Sequence, residues 1–209
     1  MRHLTAADIQ AFEKIYRLNL VNGLPGFKSA NLVGTAAPDG ATNLAIFSSV
    51  LHLGSAPPLL GLVTRPTTVP RHTYQNIQHS GCYTLNHVPV ALAAQAHYTS
   101  ADFAADVSEF GACGFTHAYR DDFPAPYVAE STISIGLRLL EEHHISNGTV
   151  LLVGSVEHVY LQEDGLREDG TLDLAALGTA CISGLDGYHA VQPPVRFGYA
   201  RVGQPPVAE

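Results

Sequence analysis

The residues with the clearest capacity for chemistry lie between Arg65 and Ile77, directly after the apolar run of residues 58–63. This stretch contains two arginines, Arg65 and Arg71, together with three threonines and a histidine. The first amides of a helix have no partner within the helix and carry partial positive charge, so an anion beside them is stabilised. The pattern therefore predicts a phosphate site where a strand gives way to a short helix.

The sequence also predicts how that helix begins and ends. Pro70 suits a first turn because it needs no amide there, and the hydroxyl of Thr67 or Thr68 can cap the helix. Gly81 is a suitable end because glycine readily adopts the conformation that stops a helix.

A second segment of interest is Thr42–Val50, which mixes small, hydroxyl and apolar residues without a regular alternation. Such a pattern is typical of a strand that kinks and offers its backbone to a ligand. Ser48 and Ser49 have a second interpretation as ordinary hydroxyls on the solvent face of a strand, and periodicity alone favours it.

Other patterns exclude several kinds of site. Residues 34–40 lack the glycine spacing of a dinucleotide fingerprint and the lysine of a P-loop, and no GxSxG elbow occurs. Residues 141–144 form the densest acidic and histidine cluster, but adjacent residues of a strand point to opposite faces. His143 and His144 would not easily share one ion, and we expect no metal site.

Strands joined by hairpins are expected to position these segments. The best local signal is a hairpin of strands 29–37 and 42–53 around a turn at Pro38–Asp39–Gly40. Strands at 59–64, 82–88, 131–140 and 149–161, a helix at 90–97 and a helical turn at 172–177 complete the pattern. Because no regular strand–helix alternation occurs, we expect a mainly β fold, an antiparallel barrel with added helices.

The length of 209 residues is typical of one domain. We expect an amphipathic N-terminal helix at 5–19, opened by a capping box of Thr5 and Asp8, a barrel at about 29–161 and a tail at 162–209.

Composition restricts the partners and the location. Charged residues make up only 14% of the chain, which indicates either a well-packed monomer or a large homodimer interface. The net charge of −8 argues against nucleic acid and anionic membranes as partners. Residues 1–9 contain no apolar run, so we expect a soluble, cytoplasmic protein. The three cysteines are far apart and are expected to be free thiols.

Taken together, these segments resemble the flavin reductase-like family of FMN-binding split-barrel proteins, in particular its flavoredoxin-like branch. The similarity covers nearly the whole chain. It is carried by Asn19–Thr35, Asn43–Val50, Pro57–Leu62, Arg65–Ile77, Asp106–Phe110, Gly148–Val159 and Ile182–Tyr188.

The resemblance implies a six-stranded antiparallel Greek-key split β-barrel that forms a homodimer with FMN near the interface. It also implies two groups of FMN-binding residues. The phosphate group comprises Arg65, Thr67, Thr68, Arg71, His72 and Thr73, with Asn76 as a supporting contact. The ring-edge group comprises Asn43, Phe47, Ser48, Ser49 and Val50.

The function implied is an FMN-binding oxidoreductase that transfers hydride from NADH or NADPH to a small-molecule electron acceptor. Because a flavin carries the hydride chemistry itself, we assign no catalytic side chain. His52 is better explained as a packed histidine at a strand end. Two alternatives stay open: a flavin-binding carrier or sensor without turnover, and a haem protein that uses the histidines.

Overall fold

The computed structural model describes residues 1–208, and its largest element is an antiparallel sheet of seven strands. The described residues form twelve strands, of which seven belong to this sheet. They are β1 (Lys28–Ser29), β2 (Asn31–Ala36), β3 (Thr42–Phe47), β4 (Val50–Ser55), β5 (Pro58–Thr64), β6 (Cys82–His87), β7 (His117–Ala118), β8 (Tyr127–Val128), β9 (Ile133–His144), β10 (Val150–Leu161), β11 (Ala180–Ser183) and β12 (Gly187–Ala190). The helices are α1 (Ala6–Ala11), α2 (Lys14–Gly23), α3 (His72–Ser80), α4 (Ala93–Tyr98) and α5 (Glu109–Ala112), with 3₁₀ turns at Val90–Leu92 and Glu163–Gly165.

The large sheet closes on itself because its two edge strands are neighbours in the chain. Its order is β3-β2-β6-β9-β10-β5-β4, and only Ser48 and Ser49 separate β3 from β4. In a flat sheet of this size the edge strands would lie about 29 Å apart. The three Cα–Cα steps from Phe47 to Val50 reach at most about 11 Å. The sheet must therefore curl into a barrel, as the sequence predicts.

The predicted hairpin of β2 and β3 is confirmed. The two strands pair in register from Asn31 opposite Phe47 to Ala36 opposite Thr42. At the turn, Gly40 has a φ of 87°, which glycine adopts without steric cost. The side chain of Asp39 accepts a hydrogen bond from the Ala41 amide at 3.0 Å, which stabilises the turn.

Two of the three apolar cores of the described residues lie on opposite faces of the barrel wall. The inner core fills the barrel, and Ile77 of α3 packs into it from one end. The outer core covers the β2–β3 hairpin with residues of the excursion between β6 and β8, among them Phe110 and Phe115. The excursion is also tied to β3 by the Glu109 carboxylate, which accepts from the Leu44 amide at 3.0 Å.

The predicted N-terminal helix at 5–19 is two helices. Its Thr5–Asp8 capping box is present, but Phe12 is extended and separates α1 from α2, which continues to Gly23. The guanidinium of Arg17 donates to the carbonyl oxygens of Gln10 and Phe12, at 2.8 and 3.0 Å, and stabilises the break. The predicted amphipathic face is not buried, since no residue of α2 is buried.

Two other expectations need correction. The predicted strand at 42–53 is divided at Ser48–Ser49, so the sheet has seven strands where the resemblance implied six. The predicted tail contains the β11–β12 hairpin, and β11 pairs with β1 in a separate small sheet. The predicted helical turn at 172–177 is present as a single turn, in which the Leu177 amide donates to the Asp173 carbonyl at 3.0 Å. None of the helices described for residues 1–208 is long and apolar enough to span a membrane.

Candidate functional site

The start of α3 presents open backbone amides. The helix begins at His72, and its first closing hydrogen bond runs from the Gln75 amide to the Arg71 carbonyl at 2.9 Å. Within residues 1–208 no side chain caps this helix. The amides of His72, Thr73 and Tyr74 precede that bond and have no partner within the helix. This is the donor arrangement that stabilises an anion.

The predicted cap by Thr67 or Thr68 is wrong, although the predicted end is correct. The two threonines form a turn, and Arg71 is extended with φ −130° and ψ 93°, so the helix begins only after it. At the other end, Gly81 adopts a left-handed conformation with a φ of 67°, and its amide donates to the Ile77 carbonyl.

The loop before α3 surrounds a surface pocket of about 340 Å³. Arg71 borders this pocket and donates from Nε to the Pro66 carbonyl at 3.4 Å, which folds the loop back towards the helix. Arg65 and His72 are exposed on either side of the loop. The pocket is lined by Thr67, Thr68, Val69, Pro70, Arg71, Tyr74 and Gln75.

The kink between β3 and β4 is bonded to the strand that leads into this loop. The Ser49 hydroxyl donates to the Val63 carbonyl at 2.6 Å, and the Val63 amide donates back to the Ser49 carbonyl at 3.0 Å. Arg65 follows Val63 by two residues. Phe47, Ser48 and Val50 are half-buried around the kink. The two segments singled out by the sequence therefore lie side by side.

A buried polar network joins β3 to the start of α3. The Asn43 amide donates to the hydroxyl oxygens of Thr73 at 3.0 Å and of Thr35 at 3.3 Å. The Asn76 amide donates to the same Thr35 oxygen at 3.1 Å. All four side chains are buried. Asn43, Thr73 and Asn76 thus have a positioning role. Contact of Thr73 and Asn76 with a phosphate, and of Asn43 with the flavin ring edge, stays a prediction.

The outer side of α3 is bonded to β9 through Glu142. This carboxylate accepts from the Tyr74 hydroxyl at 2.8 Å and lies 2.6 Å from the ring of His144. Burial, and then the hydrogen bond to Glu142, raise the pKa of Tyr74. On the opposite face Glu141 pairs with His143 at 2.9 Å, as strand alternation predicts. Across residues 1–208 no group of three or more His, Cys, Asp or Glu side chains is placed to hold a metal ion.

His87 occupies the end of the barrel beside the kink. The register places Phe47, Asn31 and His87 directly opposite one another across β3, β2 and β6, so their side chains share one face. Phe47 packs against the inner core, which identifies that face as the interior. The Nδ1 atom of His87 is buried without a hydrogen-bond partner among the described residues. Burial lowers the pKa of His87 to about 4.

Sequence reasoning missed Thr35 and His87, and it considered Glu142 only as a metal ligand. The hairpin register places Thr35 opposite Asn43, so a strict count from the Asp39 turn could have found it. The contacts of Glu142 and His87 are with strands and helices distant in sequence, so no local sequence pattern predicts them.

The comparisons with known proteins agree with this geometry. Residues 24–176 match the model of the flavin reductase like domain, so the chain belongs to the flavin reductase-like family. Its fold is the antiparallel split barrel of that family, and the family supports a flavin cofactor and flavin-related oxidoreductase activity.

One solved structure from Shewanella frigidimarina, described as a candidate flavin reductase with a split barrel domain, is 45% identical with a TM-score of 0.92. It covers 96% of this chain and 100% of its own. Flavoredoxin of Desulfovibrio vulgaris is 25% identical with a TM-score of 0.71, over 82% of this chain and 90% of its own. An uncharacterized protein of Deinococcus radiodurans is 30% identical over 139 residues, which is 65% of this chain and 61% of that protein. This chain therefore spans less than two thirds of that relative.

We predict that Thr35→Val destabilises the protein by about 2 kcal/mol, because the Asn76 amide loses its acceptor and the Asn43 amide loses one of two. Thr116→Val, at an exposed threonine, is the matched control and should change stability by less than about 0.5 kcal/mol. Urea unfolding measures both. Equal, small effects would show that the network does not hold α3 to the hairpin.

We predict that His87 makes the protein sensitive to acid. Its pKa is about 4 in the folded chain against 6.5 when unfolded, so below pH 6.5 the unfolded state binds the proton more readily. The stability that neutral His87 contributes is complete above pH 6.5 and is lost as pH falls towards 4. Its size is up to about 3 kcal/mol.

Urea unfolding of wild type and His87→Asn at several pH values measures this contribution. On acidification the free energy of unfolding of wild type should fall relative to that of the variant, because the variant lacks the titrating ring. Parallel stability curves from pH 7 to pH 4 would contradict the assignment.

Proposed function

We propose that this protein is an FMN-binding oxidoreductase that accepts hydride from NADH or NADPH and passes electrons to a small-molecule acceptor. The observation that carries the proposal is the bonded contact between the β3–β4 kink and the strand that leads into the arginine loop. One planar ligand with a phosphate tail matches both segments at once. A flavin mononucleotide has this form.

The start of α3 is the phosphate end of the proposed site. Open amides at His72 and Thr73 and the guanidinium groups of Arg65 and Arg71 are donors suited to a dianion, and guanidinium groups bond phosphate through two parallel hydrogen bonds. Thr67 and Thr68 line or border the pocket with exposed hydroxyls. These features favour a terminal monophosphate, as in FMN.

The kink is the ring end of the proposed site. Where β3 gives way to β4, the ladder is interrupted and backbone groups near Ser48 become available to a ligand edge. Phe47 and Val50 supply apolar surface beside them, and Ser49 holds the kink in place through Val63. When bound, FMN supplies the hydride chemistry, so these residues bind and orient it while no side chain acts as acid or base.

The proposal includes a homodimer with FMN near the interface. Three apolar side chains on or just after α2, Ile15, Leu24 and Phe27, are each more than 60% exposed. A second subunit packed against them would remove this apolar surface from water. On β4, Leu51 and Leu53 are also exposed, beside the proposed ring site. A cytoplasmic location stays a prediction from the sequence.

We predict that Arg71→Ala weakens FMN binding by roughly ten-fold or more, because one charge-assisted contact contributes about 1.5 kcal/mol or more. Riboflavin, which lacks the phosphate, should bind the variant and wild type almost equally. Fluorescence titration measures both ligands. Arg2→Ala removes the same charge from an exposed N-terminal residue and is the control. Equal losses for FMN and riboflavin would show that the arginine does not hold the phosphate.

We predict that NADH or NADPH, added without oxygen, bleaches the flavin absorption of the FMN-loaded protein. Readmission of an electron acceptor should restore the band, since the proposed reaction returns the flavin to its oxidised form. Full FMN occupancy without bleaching by either nucleotide would contradict the reductase and favour a carrier or sensor. A colourless protein that does not bind FMN would contradict the proposal as a whole.

A further inference from the structure

Glu141 and Glu142 are adjacent carboxylates on β9 with very different surroundings. Each pairs with the histidine two residues later, Glu141 with His143 at 2.9 Å and Glu142 with His144 at 2.6 Å. The Glu141 side chain is 59% exposed, whereas that of Glu142 is only 20% exposed. Because adjacent residues of a strand point to opposite faces, Glu142 is the one of the two that faces α3.

Both oxygens of the Glu142 carboxylate are bonded to the outer side of α3. Oε1 accepts from the Tyr74 hydroxyl at 2.8 Å, and Oε2 accepts from the Gln78 side-chain amide at 2.5 Å. Tyr74 and Gln78 are four residues apart, so they lie one above the other on the same face of the helix. A carboxylate withdrawn from water is costly unless it is bonded, and these donors offset that cost. Glu142 therefore anchors two successive turns of α3 to β9.

The body of α3 is held on its inner side without Glu142. Ile77 packs in the inner core, and the Asn76 amide donates to the Thr35 hydroxyl at 3.1 Å. These contacts fix the helix axis against the barrel. The bonds to Glu142 therefore act chiefly on the side chains of the outer face, Tyr74 and Gln78.

Tyr74 connects this anchor to the proposed phosphate site. It lines the pocket of about 340 Å³ that Arg71 also borders, and it belongs to the first turn of α3, whose amides are open. Its half-buried ring packs against the inner core, while its hydroxyl is bonded to Glu142. Held at both ends, the ring forms a fixed wall of the pocket.

The charge of Glu142 and its hydrogen bonds have opposite effects on an anion in this pocket. A carboxylate nearby repels a phosphate, whereas the bonds keep the pocket wall in position. Glutamine at position 142 retains an acceptor oxygen and removes the charge, and alanine removes both. A comparison of these two variants therefore isolates the contribution of the bonds.

We propose that Glu142 is a positioning residue for the phosphate end of the FMN site and acts through Tyr74. The inference rests on the proposed function, because it concerns the same site. It adds a residue outside the pocket that determines how well the pocket receives a phosphate.

Fluorescence titration of FMN and riboflavin tests this role in three variants. Glu142→Ala should bind FMN about three-fold or more weakly than Glu142→Gln, because it lacks the acceptor for Tyr74. Glu142→Gln should bind FMN at least as tightly as wild type, and riboflavin should bind all variants almost equally. Glu141→Ala is the matched control, since it removes the same charge and a histidine partner from the opposite face, and it should leave FMN binding unchanged. Equal FMN affinities of Glu142→Ala and Glu142→Gln, or a parallel loss of riboflavin, would overturn the proposal.

Tyr74→Phe tests the route of the effect. This variant keeps the ring, the carboxylate and the bond to Gln78, so it also serves if Glu142→Ala does not fold, which circular dichroism shows. It should weaken FMN and leave riboflavin almost unchanged. In this background the difference between Glu142→Ala and Glu142→Gln should shrink. FMN binding by Tyr74→Phe equal to that of wild type would overturn the role of Tyr74.

Thermal unfolding in inorganic phosphate separates this proposal from the proposed function. If wild type binds FMN and all variants bind it equally, only the role of Glu142 fails. If wild type does not bind FMN, but phosphate raises the melting temperature of Glu142→Gln more than that of Glu142→Ala, the positioning role stands and the FMN proposal fails. If wild type binds neither FMN nor phosphate, both proposals fail.

Discussion

The short connection at Ser48–Ser49 is the constraint on which the rest of the structure depends. It joins the two strands at opposite ends of the seven-stranded sheet, so the sheet can form only by curling until those ends meet. The regular hydrogen bonding between strands is interrupted at this connection, and the two hydrogen bonds between Ser49 and Val63 partly compensate for the loss. The place where the barrel closes is therefore also the ring end of the proposed FMN site.

The position of α3 follows from the same closure. Ile77 enters the inner core at one end of the barrel, and the Thr35 hydroxyl receives amide donors from both Asn43 and Asn76. Buried polar groups are costly unless bonded, so this network permits few alternative positions for the helix. Its first turn is thereby held beside β3 and the strand that leads into Arg65. The buried network and Ile77 fix the position of α3, and the loop before the helix carries the positive charges of Arg65 and Arg71.

Local patterns in the sequence predicted the parts of this arrangement that depend on neighbouring residues. The β2–β3 hairpin, the kink near Ser48 and the stop at Gly81 each follow from turn chemistry or irregular alternation over a few residues. The start of α3 was placed too early because Thr67 and Thr68 satisfy a turn as readily as a cap.

Features set by distant contacts were not predictable in this way. The break at Phe12 depends on Arg17, and the β11–β12 hairpin depends on β1, more than 150 residues earlier. The membership of the family, read from motifs spread along the whole chain, is confirmed by the match of residues 24–176. The contacts of Arg65, Arg71 and the other proposed FMN-binding residues with the cofactor stay predictions.

The most direct test of the central claim is a crystal structure of the protein with FMN. The account predicts the phosphate within hydrogen-bond distance of the first amides of α3 and the Arg71 guanidinium, with the ring edge along the backbone of Ser48 and Ser49. FMN bound elsewhere, or bound with its phosphate away from α3, would contradict it.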